Sequence, residues 1–312
     1  MNSHKPISES EVLITGLARD ISKVIESEVK QLKNAFADFV KVSFFIVESD
    51  SSDNTVDKLR SLAANDSNFR YLSLGTLQAK LPERIERLAH CREVCAEFAR
   101  RASVDYVCVS DLDGTNTLLT AEAVRSCWNR SDWDVCTANQ KGFYYDIYAL
   151  RHRMWCPRDY NLDISFLESQ GMHPMKARRN AVLKKQKEIK ENSDWLEVDS
   201  AFGGLAIYKS KAFSEGRYSH RDSHNGGVVC EHVPFNKKVR DCGGQIFINP
   251  LLINHEVKRY SSKLSYVRYG FQYFFSMVSP SCFKDWEESR SSVGNLAIIR
   301  KWARRQRRRD KK

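Results

Sequence analysis

The sequence predicts an α/β chain built on one continuous core. Three observations carry that prediction. Short apolar, β-forming runs recur at 11–18, 40–49 and 104–111, helical periodicity fills the stretches between them, and an acidic turn follows the third run directly.

EVLITGLARD reads as a buried strand and a turn. DISKVIESEVKQLKNAFADF then sets Ile21, Val24, Ile25, Val29, Leu32 and Phe36 near one helical face. VKVSFFIVES returns to strand, DSSDNT turns the chain, and VDKLRSLAAN makes a second helix, so the opening is β-α-β-α. LPERIERLAHCREVCAEFARR is a third helix, and VDYVCVSDLDG is a strand that ends in carboxylates. Parallel strands joined by helices collect their loops at the carboxyl edge, which is where Asp111 and Asp113 are expected.

TAEAVRSCWNR reads as a helix and WDVCTANQKG as the start of a strand running into the aromatic stretch GFYYDIYALRH. Residues 157–195 have mixed polarity and no apolar core of their own, so they read as an excursion over the sheet on the acceptor side, with a basic helix around MKARRNAVLKKQKEIKE. WLEVDSAFGGLAIYKS is core-like β sequence, with Gly203 and Gly204 permitting an unusual turn. RDSHNGGVVCEHVPFNKKVRDCGGQIFINPLLINHE reads as turns and short strands, and CEHVPFNKK within it as a turn. The expected organisation is a main domain at 1–260, an aromatic-rich extension at 261–299 and a basic tail at 300–312.

The 312 residues are 42% hydrophobic and 29% charged, which excludes wholesale disorder and a collagen-like fibre. The net charge of +11 is uneven: RKWARRQRRRDKK carries nine Lys or Arg against one Asp, so this tail holds +8 and the body only +3. NLAIIRKWARRQRRRDKK joins Leu296, Ile298, Ile299 and Trp302 to that cationic run and suits an anionic membrane surface. A solvated tail and nucleic-acid binding are the weaker readings, since no base-reading module accompanies the charge. The first residues lack a basic-then-apolar secretory pattern, and no long apolar stretch predicts a membrane span. Nine dispersed cysteines fit a reducing compartment, so a cytoplasmic protein on the inner face of a membrane is expected.

The chemistry concentrates in VCVSDLDGTN. Two carboxylates one residue apart on a strand-edge turn can face one divalent cation, and Gly114 removes bulk beside them. Hard oxygen ligands suit Mg²⁺ or Mn²⁺, and the cation would neutralise a diphosphate leaving group. A purely structural Asx turn or helix cap is the competing reading.

Taken with LITGLARD, IVESDSSDNT, EHVPFNKK and INHE, this strand and its Asp-x-Asp resemble the nucleotide-sugar glycosyltransferases of the GT-A fold over about residues 11–260. The resemblance implies a Rossmann-related domain with a mixed, mainly parallel sheet. It implies transfer of a sugar, a hexose foremost, from a nucleotide-diphosphate donor (UDP-sugar before GDP-sugar) to a glycan or glycolipid hydroxyl, in polysaccharide or lipopolysaccharide assembly alongside other assembly proteins.

Within the resemblance, Gly16 and Arg19 approach the nucleotide from the first loop, and Glu48, Ser49 and Asp53 bind ribose or base from the second. Asp111 and Asp113 hold metal and diphosphate, and His255 becomes a third metal ligand on a loop, an arrangement that points to retention. Glu231 and His232 face the transferred sugar, with Glu231 as base if the reaction inverts. Asp199, Gly203 and Gly204 border the sugar, and Lys237 and Lys238 the departing phosphate. Asp146, Arg151 and His152 form an aromatic-flanked sugar surface, for which a loop is needed if Asp146 and Arg151 share a ligand. Each of these residues also has a structural reading: salt bridge, tight turn, solvated rim or core packing. A noncatalytic nucleotide-sugar-binding protein is the alternative to the enzyme.

Overall fold

A computed structural model describes residues 5–222 and 226–257, all within the compact unit Met1–Arg259. The predicted extension at 261–299 and the tail at 300–312 lie outside the described residues. The apolar runs become β1 (Glu11–Ala18), β2 (Lys41–Glu48) and β4 (Tyr106–Asp111), separated by α1 (Ile25–Ala35), α2 (Thr55–Asn65), a short strand β3 (Phe69–Ser73) and α3 (Arg84–Arg101). α1 buries Ile25, Val29, Leu32 and, just past its end, Phe36, the face its periodicity predicts.

Next come α4 (Ala121–Arg125), β5 (Val135–Gly142), α5 (Tyr160–Ser169), α6 (Pro174–Ala181), β6 (Leu196–Val198), β7 (Leu205–Lys209), α7 (Ser210–Glu215), α8 (His232–Asp241) and β8 (Ile246–Val257). The strands form one sheet in the order β3-β2-β1-β4-β7-β5-β8-β6. Pairings among β1, β2, β3 and β4 and between β5 and β8 are parallel, whereas β7 runs antiparallel to both β4 and β5, and β6 antiparallel to β8. The sheet is mixed and mainly parallel, as expected.

Strand residues alternate between two apolar layers. Val12, Ile14, Tyr106 and Cys108 pack in one layer, Leu13, Val107 and Val109 in the other, so both faces of the sheet are covered. That double burial explains the nearly unbroken apolar runs of β1 and β4.

Two expectations are corrected. CEHVPFNKK is not a turn: Glu231 precedes α8, and Pro234 sits in the first helical turn, where its missing N–H costs no intrahelical bond. INHE is not a loop but the end of β8, which continues past register shifts around Asn139 to pair His255 with Gln140.

The antiparallel β7 matters for the site. Because Ser110 pairs with Leu205, the two glycines entering β7 arrive at the edge where β4 ends. The Asp111 N–H donates to the Gly204 carbonyl at 2.8 Å, fixing that approach.

Candidate active site

Four strand ends converge on one edge: the loops after β1 and β2, the Asp-x-Asp turn after β4, and the aromatic loop after β5. The first two loops are laced together. Asp20 and Asp50 both adopt left-handed backbone, with φ of 52° and 59°, a strained choice for non-glycine residues that collects near functional edges. The Asp20 carboxylate accepts from the Ser52 N–H at 2.7 Å and its hydroxyl at 3.1 Å, while Asp50 accepts from the N–H groups of Leu77 and Gln78 at 2.8 and 2.9 Å.

In the same lacing Asp53 accepts from both the N–H and the hydroxyl of Ser22 and from those of Thr55. Burial works against its charge, but these hydrogen bonds prevail and hold its carboxyl below the usual aspartate range. Glu48 is buried, accepting from the Ser51 N–H at 2.9 Å and from the Ser73 hydroxyl. Arg19 is half-buried beside Asp20, and its Nε has no hydrogen-bond partner. Gly16 is required by packing, since a Cβ there would come within 2.7 Å of both the Ser110 carbonyl oxygen and the Leu112 side chain.

The centre of the edge is organised by a residue the motif reading missed. Arg92 on α3 donates from Nη2 to Asp111 at 2.8 Å and from Nε to Glu231 at 3.0 Å, joining the Asp-x-Asp turn to the start of α8. Its guanidinium lies over the Phe202 ring, 5.0 Å from the centroid. Burial would discharge Arg92, but Asp111 and Glu231 hold its proton and raise its pKa. The signal was present in the sequence: Arg92 occupies the buried stripe of α3 with Ala89, Ala96 and Ala99, an unusual place for a cation.

Burial also raises the Asp111 carboxyl. Arg92 opposes that rise, while the negative charges of Asp113 and Asp146 add to it. Asp111 and Asp113 offer hard oxygen donors on a partly exposed edge, and their mutual repulsion is what a divalent cation would relieve. Among the described residues no group of three or more His, Cys, Asp or Glu side chains is arranged to hold a metal ion. His255 places Nδ1 3.2 Å from the Thr117 hydroxyl and is not part of such a group with the two aspartates.

Glu231 is 4% exposed and His232 2%. The His232 ring stacks on Phe202 at 3.8 Å, and neither ring nitrogen has a hydrogen-bond partner. Burial, with Arg92 nearby, drives its pKa well below the usual histidine value, so the imidazole is neutral. Asp146 accepts from the Gly203 N–H at 3.0 Å and the Ala149 N–H at 3.2 Å, which ties the aromatic loop to the glycine pair. Gly203 and Gly204 have φ of 68° and 84°, and a Cβ on Gly204 would lie 3.0 Å from the Tyr145 hydroxyl.

The remaining predicted residues stand apart from this group. Arg151 donates to Asp159 at 2.7 Å and to the carbonyls of Tyr148 and Leu150, which anchors the start of the 157–195 excursion. His152 accepts from the N–H groups of Met154 and Trp155, closing a tight turn. Asp199 has a side chain 61% exposed beside Arg240, and Lys237 pairs with Asp241 along the exposed side of α8. A glycosyl-transfer role for these four has no support in their contacts.

No protein-family model matches the chain. No curated protein matches it either. Solved structures do. A mannosyltransferase, PcManGT from Pyrobaculum calidifontis in complex with GDP-Man and Mn²⁺, is 13% identical, with a TM-score of 0.49 over 86% of this chain and 63% of that one. TarS 1-349 from S. aureus in complex with UDP-GlcNAc is 14% identical, with a TM-score of 0.45 over 82% and 60%. Glucosyl-3-phosphoglycerate synthase from Mycobacterium tuberculosis, in complex with Mn²⁺, UDP and phosphoglyceric acid, is 12% identical, with a TM-score of 0.41 over 86% and 78%. The chain thus spans about three fifths of the length of the first two proteins.

Proposed function

We propose that this chain is a metal-dependent glycosyltransferase that moves a sugar from a nucleotide-diphosphate donor to a glycan or glycolipid hydroxyl. One observation carries the reading: Arg92 joins the Asp-x-Asp turn to the buried Glu231 at the carboxyl edge of a doubly covered, mainly parallel sheet. An Asx turn that merely closed a loop would not need a buried cation between two carboxylates.

Asp111 and Asp113 would hold Mn²⁺ or Mg²⁺, whose charge would stabilise the departing diphosphate. Arg92 orients Asp111 and Glu231 through its two hydrogen bonds. Glu231 has one oxygen committed to Arg92, and its other oxygen, with Cys230 Sγ at 3.7 Å, is the candidate to take the acceptor proton. The laced loops after β1 and β2 are the nucleotide side, with Gly16, Arg19, Glu48 and Asp53 shaping them. Gly203, Gly204 and Asp146 form the sugar side.

Retention rests on His255 as a metal ligand, and among the described residues it forms no three-ligand group with the two aspartates. The buried carboxylate of Glu231 beside Asp111 favours inversion as the second reading. We further assign the tail at 300–312 to an anionic membrane surface, where a glycolipid acceptor and assembly partners would be found. This assignment rests on sequence; among the described residues no helix is long and apolar enough to cross a membrane.

The test is donor consumption with UDP-sugars first, then GDP- and CMP-sugars, with Mn²⁺ or Mg²⁺ and glycan acceptors. Turnover is expected, and proton NMR of the product's anomeric centre decides its stereochemistry. Donor binding without turnover in any combination would replace the enzyme with a nucleotide-sugar-binding protein.

A further inference from the structure

We propose that Glu28 is a positioning residue for the Asp111–Asp113 turn and acts through Asn116. The inference rests on the metal-site reading above and adds a group that neither the motif nor the Arg92 bridge includes.

Glu28 lies in the first turn of α1, far from the turn in sequence, yet its side chain is 3% exposed. Asn116 is fully buried at the far end of the turn. Its Nδ2 lies 2.7 Å from the Glu28 carboxylate, 2.8 Å from the Asp111 carbonyl oxygen and 3.0 Å from Ser110 Oγ. The same Asp111 carbonyl accepts from the hydroxyls of Ser110 at 2.9 Å and Thr115 at 3.3 Å. The turn is therefore closed by a knot of donors on the backbone of its first carboxylate residue.

An asparagine amide has a donor end and an acceptor end of nearly equal size. The backbone carbonyl of Asp111 needs the donor end, and the Glu28 carboxylate, accepting at 2.7 Å, turns the same end toward it. The cost is visible at the opposite end, where Asn116 Oδ1 is buried without a hydrogen-bond partner. Such an orphan is unfavourable by itself, so the amide orientation is enforced by its nitrogen-side partners. Without Glu28, Asn116 can rotate, its hold on the Asp111 carbonyl loosens, and Gly114, at φ 98° with open space around its Cβ position, offers no steric stop. Asp111 and Asp113 then sample a wider range of separations, and a site that needs both carboxylates loses affinity.

A purely structural Glu28 would move stability and leave metal affinity unchanged, so the two roles separate. Mn²⁺ affinity is measured by electron paramagnetic resonance of free Mn²⁺ on the full-length chain, with and without UDP, and thermal unfolding is followed alongside. Glu28→Gln keeps an acceptor for Asn116 and is expected to bind Mn²⁺ within about two-fold of wild type, whereas Glu28→Leu is expected to lose about ten-fold or more, the scale of outer-shell ligand support. Asn116→Ala removes the bridge from the other side and serves if Glu28→Leu does not fold. Wild-type Mn²⁺ affinity in folded Glu28→Leu or Asn116→Ala overturns this inference alone. A wild-type chain that takes up no Mn²⁺ in either condition overturns the metal site and this inference with it.

Discussion

Arg92 and Asp111 meet through a single 2.8 Å hydrogen bond between a buried helix residue and the first carboxylate of the acidic turn. The contact makes a cation of the core part of the candidate site. Removing it would leave two carboxylates, Asp111 and Glu231, facing each other without compensation.

Arg92→Met is therefore expected to destabilise the fold by about 3–5 kcal/mol, the cost of stranding buried charge. Arg92→Met combined with Glu231→Gln should lose less than the sum of the single changes, because the residues share one network. Urea unfolding of the four proteins measures the coupling, and additive losses would show that the bridge is energetically idle.

Replacing Asp111 or Asp113 by Asn removes negative charge and preserves shape. Donor turnover should fall by roughly 100-fold or more, the scale of losing an electrostatic contact to the transition state. Folding should persist, since the Asp111 backbone bonds to Gly204 and Asn116 do not use the side chain. Turnover rates beside circular dichroism spectra decide it, and full activity in both variants would remove the turn from the chemistry.

Gly16→Ala tests how tightly β1 and β4 approach. The new methyl would sit 2.7 Å from a backbone oxygen that cannot swing aside. A loss of about 1–3 kcal/mol is expected from overpacking, read from the urea midpoint. A neutral result would mean that the strand edge yields without cost.

Acid should loosen the excursion before the sheet. Burial tends to raise the Asp163 carboxyl, but hydrogen bonds from Lys185 and Arg158 outweigh it and hold the group below its ordinary value of 3.8. Its folded pKa lies below the unfolded one, so its stabilisation is fully present above the unfolded value and disappears as pH falls through the folded value. Below pH 3.8 hydrogen exchange should rise first across 158–185, and Asp163→Asn should remove that pH dependence. Uniform exchange along the chain would contradict it.

The sequence made the parallel half of the fold legible because β1, β2 and β4 are buried on both faces and therefore apolar throughout. β3 was missed because Phe69 alone among its five residues is buried, leaving no alternation to read. α8 looked like a turn because Pro234 and flanking glycines suggest one, and only the position of proline in the first helical turn reconciles them. Asp111 and Asp113 were legible because their chemistry is local. Arg92 showed only as a cation at the helical spacing of Ala89, Ala96 and Ala99, and Glu28 and Asn116 were not singled out, because each acquires its meaning from a partner that only the folded chain brings near.

The lacing of Asp20 to Ser52 also has a consequence for how a ligand would arrive. These loops are ordered by their own hydrogen bonds, with two aspartates already in left-handed backbone. The ordering entropy is spent when the chain folds, so a nucleotide bound there would meet a finished cradle. Calorimetry of UDP binding should then show a heat-capacity change no larger than contact burial requires, without the added signature of a segment that folds around its guest.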